Sequence, residues 1–69
     1  MINSEKIIND IQEIIDFIAA NKVAEANSKL LEVSEYLDDL LDTTEDDDTM
    51  IELSKYQVLL NHLNLKINP

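Results

Sequence analysis

Residues 23–42 carry two opposed surfaces on one helical period, and this restricts the fold more than any other feature. At about 100° per residue, Val23, Ala26, Leu30, Val33, Leu37 and Leu40 step by three or four residues and share one side. Glu25, Glu32, Glu35, Asp39 and Asp42 share the opposite side. A strand would need alternation at period two, which this segment lacks. The apolar stripe requires a core, and the acidic stripe requires water or a cationic partner.

The preceding segment repeats the pattern. Ile7, Ile11, Ile14 and Ile18 form a stripe that Ile8 and Ile15 widen, with Asn9, Gln12, Glu13 and Asp16 behind it. The spacing predicts a helix over about 4–20, capped by Asn3 or Ser4, with Glu5 in its first turn. Phe17 lies off the stripe, toward a third element. With no glycine in the chain, Asn21 is the residue best able to take the left-handed position that ends a helix. So short a turn makes the first two helices antiparallel neighbours, the second over about 22–42.

Residues 43–48 contain nothing apolar and read as a solvated acidic loop. Thr49 and Glu52 then match a capping box, which predicts a third helix over about 49–65, with the remaining residues frayed. Its core stripe is Leu53, Tyr56, Leu60, Leu63 and Ile67. Ile51, Val58 and Leu65 recur every seventh residue on nearly the opposite side, with Met50 and His62 beside them. A helix apolar on two sides needs two partners, and the hairpin supplies one.

The expected architecture is therefore all-α: one three-helix domain over 1–69, an antiparallel hairpin plus a third helix, assembled as a homodimeric bundle. A 69-residue chain buries only roughly 60% of its unfolded surface, so self-association is a common remedy. The absence of cysteine excludes disulfides and thiolate zinc sites, and one histidine cannot build a His-rich one. No secretory leader is read at the N-terminus, where Glu5 and Asp10 interrupt any apolar run. No segment approaches the roughly 18 apolar residues of a membrane span, and a cytoplasmic location is expected.

Fifteen acids against five lysines give a net charge of −10. Such a chain repels nucleic acid and anionic membranes, and it lacks arginine, the residue best suited to paired phosphate contacts. The natural complement is a protein with a basic surface.

Two acidic features are candidates for that contact, and one apolar stripe is a candidate for self-association. The acids of the second helix, Glu25, Glu32, Glu35, Asp38, Asp39 and Asp42, make a solvated face that aids solubility or meets a partner. Asp38, Asp39 and Asp42 sit where the helix dipole favours cations, each at a cost of about 0.3–1 kcal/mol, so they oppose folding locally. Glu45, Asp46, Asp47 and Asp48 precede a helix, where negative charge is favourable, and extend the patch. Met50, Ile51, Val58, His62 and Leu65 are the expected oligomer interface. Tyr36, off both stripes, is a further anchor candidate, whereas Tyr56 belongs to the core.

Other chemistries fit poorly. A calcium loop counted from Asp42 would need glycine at the sixth position and glutamate at the twelfth, where the chain has Asp47 and Leu53. Ser4, Ser28, Ser34 and Ser54 lack the base and oxyanion loop of a nucleophilic site, and a phosphate-binding loop needs glycines. Neither enzyme activity, nor a cofactor, nor a metal is expected. The leading expectation is a small inhibitor, immunity protein or antitoxin that covers a basic surface, including one that imitates nucleic-acid charge. The stripe acids span about 25 Å at 1.5 Å per residue. That is sparser than a phosphate per roughly 3.4 Å of strand, so imitation would need the loop acids too. The alternatives are an assembly adaptor working through the second face of the third helix, or an oligomeric small-ligand binder.

Overall fold

The computed structural model describes residues 4–68 and contains three helices, Ser4–Ala19 (α1), Val23–Thr43 (α2) and Asp47–Ile67 (α3). The described residues form no strand. Asn3, one of the two expected caps of α1, lies outside them.

The first turn is decided by Asn21, which sits at φ 62°. From there the Asn21 N–H donates to the Ile18 carbonyl at 3.0 Å and the Lys22 N–H to the Phe17 carbonyl at 2.8 Å. This crossed pair is the Schellman closure, which satisfies carbonyls that the helix end leaves without donors. Asparagine tolerates the left-handed region because its short polar side chain bonds locally, and no glycine is at hand to compete.

The second turn differs from the expected capping box. Asp46 is the N-cap of α3, and its carboxylate accepts from the Thr49 N–H at 3.0 Å and the Thr49 Oγ1 hydroxyl at 2.7 Å. The helix thus begins at Asp47, two residues before the expected start, and the loop shrinks to 44–46. Asp47 and Asp48 gain the first-turn position where the dipole favours them. Glu52, the expected reciprocal cap, instead accepts from the Ser4 hydroxyl at 2.9 Å and joins α3 to the start of α1. At the far end α3 continues to Ile67, where fraying was expected after residue 65, and Ile67 packs against the core.

Each helix gives three buried side chains to one seam: Ile7, Ile11 and Ile14; Ala26, Val33 and Leu37; Leu53, Leu60 and Leu63. Two side-chain bonds fix α3 antiparallel to α2. Gln57 donates to Asp38 at 2.9 Å and Asn68 to Asn27 at 3.1 Å, so the bonded residues are eleven apart on both helices. Phe17 turns toward α2, where it shares a cleft with Ala24 and Ser28, rather than toward the third element. Ile8 and Ile15 do not join the seam. They stay 53% and 41% exposed on the α3 side of α1.

The Cα frame measures 38 × 22 × 15 Å. It is one helix long and thin, which leaves the outward side of every helix in water.

Leu37→Ala and Leu53→Ala, both at fully buried positions, should each cost about 2–5 kcal/mol. Leu31→Ala, at a 61% exposed position, should stay within about 0.5 kcal/mol. Urea unfolding followed by helical circular dichroism measures all three, and equal losses would contradict this assignment of the core. By the same readout Asn21→Ala should cost about 1–2 kcal/mol and Asn21→Gly less.

Candidate protein-interaction site

The outward face of α2 is built by the same period that buries Ala26, Val33 and Leu37 on its inner side. Glu25, Glu32, Glu35, Asp38, Asp39 and Asp42 are all exposed. Among the described residues no lysine pairs with Glu25, Glu35, Asp38, Asp39 or Asp42; the ion pairs found belong to Lys6 and Lys29. The last turn of α2 holds no basic residue. Thr43 closes it by donating its hydroxyl to the Asp39 and Leu40 carbonyls at 3.1 and 3.3 Å. Leu31 stands in water within the acidic field.

The inner edge of this face is organised by Asp10, which the sequence reading did not single out. Its two oxygens meet Lys6 at 2.8 Å and Lys29 at 3.3 Å, across the α1–α2 groove. Lys29 reaches on to Glu13 at 3.7 Å and Glu32 at 3.9 Å. Burial pushes the Asp10 carboxyl up, but the hydrogen bonds and charges of Lys29 and Lys6 outweigh it and hold it below the ordinary value of 3.8. Burial likewise lowers Lys29, and Asp10, Glu13 and Glu32 more than restore it, so its ammonium lies above 10.5. The hydrogen bond to Asp10 raises Lys6 as well. The i,i+4 spacing of Lys6 and Asp10 was a visible signal; the crossing to Lys29 required the hairpin register.

Tyr36 is occupied within the molecule. It is half-buried against the core, and the Lys6 ammonium lies 4.7 Å from its ring centroid, so it is not the exposed anchor expected. Of the loop acids, Asp46 is consumed as the cap. The two bonds from Thr49 hold its carboxyl below the ordinary range. Glu45, Asp47 and Asp48 remain exposed and continue the negative field from the end of α2 onto the start of α3.

A second surface lies on the outside of α3. Ile51, Val58 and Leu65 are 57%, 51% and 63% exposed, with exposed His62, Lys55 and Lys66 around them. Leu59 on α3 and Ile8 and Ile15 on α1 extend this apolar area across the shallow α1–α3 groove, a cavity of about 300 Å³ floored by Ile18 and Leu63. Met50 stands apart on another flank of the helix.

The α1–α2 cleft that Phe17 and Lys29 line, about 370 Å³, is wide open to solvent. Among the described residues no three acidic or histidine side chains stand close enough to hold a metal ion, and no helix is long and apolar enough to cross a membrane. Compared with family models, with curated proteins and with solved structures, the chain matches none. Its surfaces are therefore the ground for reading what it does.

The Asp10 pairing makes a signed prediction. A carboxyl held below its unfolded value adds stability that is present above about pH 4 and is lost as the pH falls through and below that value. Asp10→Asn should cost up to about 1 kcal/mol at pH 7. The gap between wild type and variant should close as the pH falls below about 4, as read by thermal unfolding. A gap independent of pH would show that the pairing is not electrostatic.

Proposed function

We propose that this protein is a non-enzymatic binding module that covers a basic surface of a partner protein with the outward face of α2 and the loop beyond it. The observation that carries the reading is where charge is left uncompensated. Nine of the fifteen acids lie in residues 32–48, that stretch has no lysine, and among the described residues only Glu32 of the nine pairs with one, Lys29 at 3.9 Å. Lys6 and Lys29 are held at its inner edge by Asp10. Asp39 and Asp42, at the end of α2, also oppose its dipole. Such a surface suits an inhibitor, immunity protein or antitoxin acting in the cytoplasm, and the partner class it fits best is a nucleic-acid-binding enzyme with a cationic cleft. The reading includes assembly as a homodimer through the apolar outside of α3, which would present two acidic faces per particle.

Salt and neutral variants test it together. The Debye length falls from about 10 Å at 0.1 M to about 3 Å at 1 M salt, so capture of basic proteins should be strong at low salt and lost near 1 M. The variant Glu35→Gln, Asp39→Asn, Asp42→Asn should lose capture while melting higher than wild type, because it relieves the dipole conflict. Capture that survives in this variant but disappears in Val58→Glu would transfer the function to α3 and favour an assembly adaptor.

A further inference from the structure

We infer that α3 pairs with α3 of a second copy in an antiparallel two-fold contact centred on Val58, closed at each end by an ion pair between Asp48 and Lys66 of the second copy. This rests on the proposed homodimer and adds its register and polarity.

The exposed stripe is its own complement. Ile51 and Leu65 lie seven residues before and after Val58, so a two-fold axis at Val58 sets Val58 against itself and Ile51 against Leu65 of the second copy. All three side chains are more than half exposed. Burying them is the hydrophobic gain that the three-helix slab leaves unused.

The charges fix the direction. From Val58 at about 100° per residue, Asp48 and Lys66 both fall on one flank, about 80° from the centre of the stripe. In an antiparallel two-fold pair like flanks meet. Asp48 lies ten residues before the axis and Lys66 eight after it, so each comes within about 3 Å of the other along the helix. The contact forms twice. A parallel two-fold pair would put the two like flanks on opposite sides of the seam, leaving Asp48 across from Met50 and Lys66 across from Asn68, so neither charge would meet its opposite. Neither Lys66 nor Asp48 has an ion-pair partner among the described residues of its own chain.

The area agrees. A standard interface takes about 800 Å² from each partner, about a sixth of the 4751 Å² this molecule exposes. Leu59 with Ile8 and Ile15 continues the apolar surface on the flank that carries Lys66. The chain's negative charge does not prevent the approach, because this face carries Lys55, Lys66 and His62 against Asp47 and Asp48, while the acids of α2 remain outside.

The native protein has no cysteine, so single thiols report the register directly. Val58→Cys, at an exposed position that the fold does not use, should form a covalent dimer on mild oxidation. Ser54→Cys, whose copies would lie about 12 Å apart along the axis, should not. Light scattering should give a dimer for wild type. Asp48→Lys or Lys66→Asp alone should weaken it about tenfold, and the two together in one chain should restore it. A dimer that crosslinks at Ser54 but not at Val58, or that the double reversal fails to restore, would overturn this register and leave the homodimer standing. A monomer at micromolar concentration would overturn both.

Discussion

Exclusion of water from a single narrow seam holds this protein together, and that seam accepts only one side of each helix. Three side chains from each of α1, α2 and α3 fill it. Because the frame is 15 Å thick in its shortest direction, no second layer exists to cover an outward side chain. Whatever the sequence places off the seam is committed to water or to another molecule. On α2 that remainder is carboxylate, and on α3 it is isoleucine, valine and leucine. The two remainders ask for different neighbours, which is why the charged and apolar faces are separate surfaces.

The helices were legible because burial writes its period into the chain, and Asn21 was legible because a glycine-free chain has few residues that tolerate a positive φ. The start of α3 was not. Thr49 with Glu52 and Asp46 with Thr49 are both plausible caps at sequence level, and the choice depends on a distant group: Ser4 draws Glu52 away across 48 residues. Asp46 then caps a helix whose first turn holds two more acids. The same limit hid the Asp10 to Lys29 crossing and the fate of Tyr36, since both require the register of one helix on another. Ile8 and Ile15 looked like core because a wheel shows only one helix. How far α3 covers α1 decides their exposure, and it covers too little. Glu25, Glu32, Glu35, Asp39 and Asp42 needed no such information, since they follow from being opposite the seam, whereas Asp38 stands on the α3 flank and is bonded to Gln57.

The cations are distributed in a way that sharpens this face. Lys6 and Lys29 converge on Asp10, one stabilising the Tyr36 ring as it does so. They neutralise the groove between α1 and α2, where burial makes an unpaired charge expensive. Having been used there, they cannot soften the field of Glu35, Asp39 and Asp42. A chain selected for solubility alone could have spread five lysines among the acids, gaining i,i+4 pairs on α2 of a few tenths of a kcal/mol each. It leaves α2 without one beyond Lys29, at a helix end where lysine would also have suited the dipole.

Pairing through α3 would connect these features. Most of each copy's acidic face lies on α2 and the loop, away from the apolar stripe of α3, so joining two copies consumes the second surface and takes only Asp48 from the first. Two weak electrostatic contacts held on one rigid particle act as one stronger contact when a partner offers two basic sites at the matching distance. Salt would then weaken capture through α2 far more steeply than it weakens the dimer, whose centre is apolar and whose ion pairs stand only at its ends. The two associations would separate along the salt axis, partner release coming first and dissociation of the copies later.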